Sequence, residues 1–200
     1  MIIKVCGMRE ADNIRATEQL GVDWLGFIFW PNSSRYVATR PAYLPSAAKR
    51  VGVFVDANIE DVTNKASDYQ LDIIQLHGHE SREYVSEIRN RGLTVMKAIS
   101  ISNRDDIATS KVYEGIANYF LFDTKCKTVG GSGEHFDWSV LSAYDGSTPF
   151  LLSGGIGPDD VERVRNFCHP ECIGIDLNSR FEISPALKDI NKLKQFIQQL

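Results

Sequence analysis

The chain has 200 residues, of which 43% are hydrophobic and 24% are charged, and its formal net charge is −4 at pH 7. This composition is ordinary for a soluble domain, and the negative charge gives no support for a nucleic-acid or membrane partner. No apolar stretch approaches the ~18 residues of a membrane span, and the N-terminus lacks a signal-peptide pattern. We therefore expect one cytoplasmic domain over residues 1–200, a monomer with a homodimer as the alternative.

Eight short runs of β-branched or aromatic residues recur along the chain and predict buried parallel strands. They cover residues 2–6, 24–29, 51–55, 72–77, 94–99, 119–123, 149–155 and 173–177. Eight strand–helix units of about 25 residues each predict a small (β/α)8 TIM barrel. The alternative is a doubly wound open sheet, but no G-x-G-x-x-G follows the first strand.

The segments between the strands have helical spacing and recognisable helix starts. Asn58 and Ser81 are predicted N-caps, and Pro158 is placed at a first helical position. The final helix is predicted from Ala186 to the end of the chain, with an apolar stripe formed by Leu193, Phe196, Ile197 and Leu200. A long glycine-containing loop at 124–135, after the sixth strand, is typical of a mobile lid.

Polar and reactive residues follow the predicted strands at the end where barrels place their active sites. They are Cys6, Arg35, His77, Asp123, Ser153-Gly154-Gly155 and Asn178-Ser179. A lone cysteine is more often a buried structural thiol, but Cys6 ends a strand and precedes a turn-forming glycine. Its thiolate can act as a base or nucleophile, and Asp123, at the end of an apolar strand, suits a general acid.

The two loops after the seventh and eighth strands stand where barrels commonly bind phosphate. Arg35 offers a bidentate fork for a second anion, such as a carboxylate. Alternation along the first strand turns Lys4 to the same side as Cys6. A buried lysine needs a partner, and Asp176 on the neighbouring eighth strand is the predicted one.

Metal binding has little support in the sequence. Cys168 and Cys172 flank His169, but no second cluster completes a tetrahedral zinc site. With Cys6 and Cys126, these cysteines are expected to be reduced. We expect no metal and no cofactor.

Taken together, the strand ends resemble those of the phosphoribosylanthranilate isomerase family of tryptophan biosynthesis. The matching stretches run from end to end of the chain. They are K-V-C-G-M (4–8), L-G-F-I-F-W-P-N-S-S-R-Y-V (25–37), V-G-V-F-V (51–55), Q-L-H-G-H-E (75–80), L-F-D-T-K (121–125), G-G-S-G-E-H-F-D-W (130–138), L-S-G-G-I (152–156) and D-L-N-S-R-F-E (176–182).

The resemblance implies an Amadori rearrangement of N-(5-phosphoribosyl)anthranilate to the open-chain aminodeoxyribulose phosphate. It implies that Asp123 protonates the ring oxygen and that Cys6 removes the C2 proton of the resulting Schiff base. Arg35 matches the position assigned to the anthranilate carboxylate, and the loops at Gly154-Gly155 and Asn178-Ser179 match the phosphate loops. His77 and Asp176 are further expected substrate contacts.

The chain departs from the family pattern around the eighth strand. The family commonly reads S-S-G-V-E and then P-G-x-K, where this chain has Asn178-Ser179-Arg180-Phe181-Glu182 and Pro185-Ala186-Leu187-Lys188. Arg180 is expected either to contact phosphate or to turn outward. Two other functions stay open: a metal-dependent sugar-phosphate epimerase and a barrel that binds phosphosugars without turning them over.

Overall fold

Eight parallel strands pair in chain order and close into a barrel, as the sequence predicts. The computed structural model describes residues 1–124 and 137–200. The strands are β1 (Ile2–Val5), β2 (Trp24–Ile28), β3 (Lys49–Phe54), β4 (Ile73–Leu76), β5 (Thr94–Ile101), β6 (Tyr119–Thr124), β7 (Phe150–Ser153) and β8 (Cys172–Leu177). β8 pairs with β1 and closes the barrel, with Lys4 opposite Asp176 in the register.

Helices pack around the outside of the barrel. They are α1 (Ala11–Glu18), α2 (Ile59–Tyr69), α3 (Arg82–Asn90), α4 (Val161–Asn166) and α5 (Ile190–Ile197). Both predicted N-caps are confirmed: Asn58 Oδ1 accepts from the Asp61 amide at 2.8 Å, and Ser81 Oγ accepts from the Tyr84 amide at 3.2 Å. These side chains satisfy amide groups that the first helical turn leaves without partners.

The prediction of eight regular strand–helix units is wrong in detail. Residues 29–48, between β2 and β3, contain no helix. The connections after β5 and β6 hold 3₁₀ segments, Arg104–Val112 and Trp138–Ala143, and Pro158–Asp160 is a 3₁₀ turn that leads into α4. In that turn, Asp160 Oδ2 accepts from the Gly157 amide at 2.8 Å, which tightens the helix start.

The last predicted helix begins four residues later than expected. Residues 182–188 form a hairpin of β9 (Glu182–Ser184) and β10 (Leu187–Lys188), and Asp189 caps α5 by accepting from the Lys192 amide at 3.1 Å. The Asn13 side chain bonds both the N–H and the C=O of Lys188, at 2.8 and 2.9 Å. Because these bonds hold the Lys188 backbone in the hairpin, helical spacing in this segment does not become a helix.

Two layers of apolar side chains hold the barrel together. A large layer lies between the strands and the helices and contains Leu193 and Phe196 of the predicted stripe. A smaller cluster around Trp24, Val51 and Leu121 joins residues of six strands, β2 to β7, and Ile2 of β1 and Ile173 of β8 pack against it. Inward positions alternate along each strand, so the residues that follow this cluster toward the strand ends also point inward.

The predicted lid at 124–135, with Cys126 and His135, falls almost wholly on residues 125–136, outside the described residues. Across residues 1–124 and 137–200, no helix is long and apolar enough to cross a membrane.

Candidate active site

A cavity of about 240 Å³ opens at the carboxyl ends of the strands. Its walls come from seven of the eight strands or the loops that follow them. The lining residues are Cys6, Ile28, Val53, Gln75, His77, Asp123, Ser153, Gly154, Gly155, Ile156, Asp176, Asn178 and Ser179. Apart from Arg35, every predicted site residue lines this one cavity.

Cys6 directly follows β1 and is 4% exposed. Its amide donates to the Leu177 carbonyl at 2.9 Å, which fixes it against the end of β8. Gly26 makes room for the thiol, because a Cβ at that position would lie 2.7 Å from Cys6 Sγ. Gly7 then turns the chain with φ +80°, a conformation that side chains disfavour.

Lys4 and Asp176 form a buried ion pair below Cys6, as the strand alternation predicts. Lys4 Nζ lies 2.7 Å from Asp176 Oδ1, and the two side chains are 0% and 6% exposed. Asp176 Oδ2 also accepts from Ser153 Oγ at 3.3 Å. The pair therefore links β1, β7 and β8 at the floor of the cavity.

Replacing Lys4 with methionine is expected to lower the free energy of unfolding by about 3–5 kcal/mol, because the buried Asp176 carboxylate loses its counter-ion. Urea unfolding measures the loss. The double variant with Asp176→Leu should recover most of it, since it buries no charge. A double variant as unstable as Lys4→Met would contradict the account.

The protonation of Cys6 is set by opposing influences. Burial raises the pKa of the thiol, the Lys4 cation lowers it, Asp176 raises it and Lys188 lowers it, with a net increase. Burial alone would lower the pKa of the Lys4 amine. Asp176 and then Cys6 together raise this pKa by more than burial lowers it, so the amine stays charged. At neutral pH this part of the cavity therefore holds a neutral thiol beside the Lys4 cation.

Alkylation of Cys6 by iodoacetamide should follow a pH profile whose midpoint lies above that of free cysteine, because only the thiolate reacts. Lys4→Met should move the midpoint further upward, since the thiolate loses a neighbouring cation. Peptide-level mass spectrometry separates Cys6 from the other three cysteines, Cys126, Cys168 and Cys172. A midpoint at or below that of free cysteine would contradict the proposed environment.

Asp123 stands at the end of β6 and is held by a short hydrogen-bonded chain. Gln75 Nε2 lies 3.0 Å from His77 Nδ1, and His77 Nε2 lies 3.2 Å from Asp123 Oδ2. Donation from the Gln75 amide makes Nδ1 an acceptor, so Nε2 carries the proton and donates to Asp123. This leaves Asp123 Oδ1 for a ligand in the cavity.

The loops after β7 and β8 follow neighbouring strands, and both line the cavity. Gly154 and Gly155 both have positive φ, +94° and +74°, which suits residues without a Cβ. Asn178 and Ser179 line the cavity from the next loop. Backbone groups at two such loops can approach an anion closely.

Arg35 does not line the cavity but lies behind the Gly7 turn, where a Cβ on Gly7 would be 2.7 Å from Arg35 Cδ. Its guanidinium pairs with Glu182, with Nη2 2.6 Å from Oε2. Lys188 Nζ bonds the same carboxylate at Oε1, 2.7 Å away. Neither Glu182 nor Lys188 is predicted as a site residue from the sequence.

Comparison with known proteins agrees with this geometry. Residues 3–199 match the family model described as N-(5'phosphoribosyl)anthranilate (PRA) isomerase. The chain belongs to the PRA isomerase family. A relative of that name from Parabacteroides distasonis is 53% identical over 206 residues, covering 100% of this chain and 93% of the relative. Another from Phocaeicola vulgatus is 52% identical, covering 99% of this chain and 100% of the relative.

Solved PRA isomerase structures have the same fold. The enzyme from Thermotoga maritima superposes with a TM-score of 0.87 at 34% identity, covering 100% of this chain and 98% of that one. A PRA isomerase in complex with reduced 1-(o-carboxyphenylamino)-1-deoxyribulose 5-phosphate superposes with a TM-score of 0.85 at 32% identity, with the same coverage.

Arg180 and Ala186 stand where the PRA isomerase pattern has glycine, and the structure places them in different surroundings. Arg180 is exposed, does not line the cavity, and lies beside Gly157, where a Cβ would be 3.6 Å from Arg180 Cβ. Ala186 replaces the family's glycine at a position where φ is +69° and the side chain is fully buried. The family glycine suits that left-handed backbone, which alanine adopts only with strain.

Three further residues shape the site without having been predicted. Gln75 positions His77, Gly26 accommodates Cys6, and Glu182 holds Arg35. All three lie inside the quoted family stretches, but only their partners in space reveal what they do. Among the described residues, no three His, Cys, Asp or Glu side chains come together as a metal site.

Proposed function

We propose that this chain performs the reaction of the PRA isomerase family with Cys6 as general base and Asp123 as general acid. The observation that carries the proposal is their position on β1 and β6, across one cavity at the carboxyl end of the barrel. The neutral thiol and the hydrogen-bonded carboxyl then serve successive steps on one substrate.

In the first step, Asp123 Oδ1–H donates its proton to the furanose ring oxygen. The C1–O bond breaks, and the nitrogen lone pair forms the C1=N bond of an open-chain iminium ion. His77 keeps the carboxyl oriented through its bond to Oδ2. General acid assistance of this kind contributes ~10²–10⁴-fold to a rate.

In the second step, the Cys6 thiol first loses its proton to solvent, and the resulting thiolate removes the C2 proton. The C–H electrons form C1=C2, the iminium nitrogen recovers its lone pair, and the enolamine then tautomerises to the ketone. Lys4 and Lys188 stabilise the thiolate, whereas burial makes it a stronger base once it has formed. Both lysines are buried, so water screens their charges little.

The remaining predicted residues bind the two anionic ends of the substrate. The glycines at 154 and 155, with Asn178 and Ser179, take the phosphate. Arg35 takes the anthranilate carboxylate, while His77 and Asp176 contact the sugar from the cavity wall.

Purified chain should consume PRA with loss of its fluorescence, and NMR should identify the product as the deoxyribulose phosphate. Activity should persist in excess EDTA. Loss of activity with the chelator would favour a metal-dependent epimerase. Tight binding of the reduced product without turnover of PRA would favour a phosphosugar-binding barrel.

We also propose that the chain works in the cytoplasm as one domain and as a monomer, with a homodimer as the alternative. A biosynthetic family and the lack of a membrane-spanning helix in the described residues support the compartment. One neighbouring structure is of monomers generated from the dimeric PRA isomerase of Thermotoga maritima. Sedimentation at several concentrations distinguishes the two states.

A further inference from the structure

Glu182 is the centre of a buried charged unit behind the Cys6–Gly7 turn. Its side chain is 5% exposed and accepts from Arg35 on one side and Lys188 on the other. It also accepts from the Ala186 amide at 3.2 Å, within its own hairpin. Four hydrogen bonds to the two cations hold this carboxylate in one orientation.

The Arg35–Glu182 contact uses only one edge of the guanidinium. Arg35 Nε donates to Oε1 and Oε2 at 2.8 and 3.0 Å, and Nη2 donates to Oε2 at 2.6 Å. No described residue accepts from Nη1. The Nη1/Nη2 edge is therefore left for a second carboxylate, and the side chain is 22% exposed.

Lys188 connects the charged unit around Glu182 to the cavity residue Asn178. Its fully buried Nζ bonds Glu182 Oε1 and Asn178 Oδ1, both at 2.7 Å. A Cβ on Gly7 would meet Arg35, Asn178 and Lys188, all within 3.4 Å. The unit holds two cations and one anion, so its single net positive charge suits one bound carboxylate.

We propose that Glu182 is a positioning residue that makes the enzyme selective for a carboxylate on the aryl amine. It occupies the Nε/Nη2 edge of Arg35 and fixes the other edge for the anthranilate carboxylate beside the Cys6–Gly7 turn. This role rests on the proposed function. Without Glu182, Arg35 samples several rotamers, and a carboxylate must immobilise it at the moment of binding.

Glu182→Gln tests the proposal with two substrates, PRA and the matching phosphoribosylaniline, which lacks the carboxylate. We expect KM for PRA to rise about tenfold, equivalent to ~1.4 kcal/mol, with little change in kcat. The values for the aniline substrate should stay near wild type. The preference for PRA, taken as the ratio of kcat/KM values, therefore falls about tenfold.

A structural defect would impair both substrates equally, so the ratio separates positioning from misfolding. Glu114→Gln is the matched control, because Glu114 accepts from Tyr144 and Thr148 far from Arg35, and its ratio should be unchanged. In an Arg35→Met background, Glu182→Gln should not reduce the preference further. If Glu182→Gln proves unstable, Glu182→Asp gives the same comparison.

The positioning role of Glu182 is wrong if Glu182→Gln leaves the preference for PRA over the aniline substrate unchanged. It is also wrong if Glu182→Gln lowers this preference equally in the wild-type and Arg35→Met backgrounds. Wild-type turnover of PRA is measured first, so failure of the proposed function is seen separately. Calorimetry with the reduced product and its decarboxylated analogue repeats the comparison as binding alone. The variant should lose affinity about tenfold for the carboxylated ligand only.

Discussion

Cys6→Ser is expected to reduce kcat for PRA at least ~10²-fold while the protein stays folded. Serine has nearly the same shape as cysteine, so the tight contact with Gly26 and the bond to Leu177 are kept. Its hydroxyl is a far weaker acid than a thiol, so no comparable base forms beside Lys4. Steady-state kinetics and a thermal melt measure the two effects.

Cys168→Ser is the control for the cysteine prediction, because Cys168 is exposed and does not line the cavity. It should retain wild-type kcat. Cys6→Ala should lose as much activity as Cys6→Ser, since both lack the base. Near-wild-type turnover in either Cys6 variant would remove the assigned role.

Asp123→Asn is expected to lower kcat by a similar factor, at least ~10²-fold, with a smaller effect on KM. The amide is isosteric and its oxygen still accepts from His77 Nε2, so the side chain keeps its place. An amide has no acidic proton of comparable strength, and ring opening loses its general acid. Steady-state kinetics with PRA gives both constants.

The control for Asp123 is Asp145→Asn, because the Asp145 side chain is 72% exposed and pairs with Lys111 at 3.5 Å, away from the cavity lining. It should leave both kinetic constants unchanged. Full activity in Asp123→Asn would show that another group protonates the ring oxygen. His77 would then be the first alternative, since it lies in the same hydrogen-bonded chain.

Much of the frame could be predicted because local patterns determine it. Apolar runs of strand length, the caps Asn58 and Ser81, and the alternation that turns Lys4 and Cys6 inward all depend on neighbours in the chain. The Lys4–Asp176 pair followed from the rule that β8 closes on β1. The alternation of side chains along each strand, combined with the pairing of β1 and β8, thus predicted a long-range contact, which is confirmed at 2.7 Å.

The remaining features depend on contacts that no local pattern encodes. Lys188 has helical spacing with its neighbours, yet Asn13, 175 residues away in the chain, holds its backbone in a hairpin. Lys97 lies within the apolar run 94–99, and nothing in that run indicates that its amine is buried 3.1 Å from Glu80. Arg35 was predicted to bind an anion such as a carboxylate, but its pairing with Glu182 became visible only in three dimensions.

Trapping with cyanoborohydride during turnover tests the division of labour between Cys6 and Asp123 most directly. Cys6→Ser should still open the ring, so the open-chain imine accumulates and is captured as the reduced amine above the enzyme-free rate. Asp123→Asn should yield no such excess, because it stops before the imine. Excess trapping in Asp123→Asn, or none in Cys6→Ser, would contradict the assignment of acid and base.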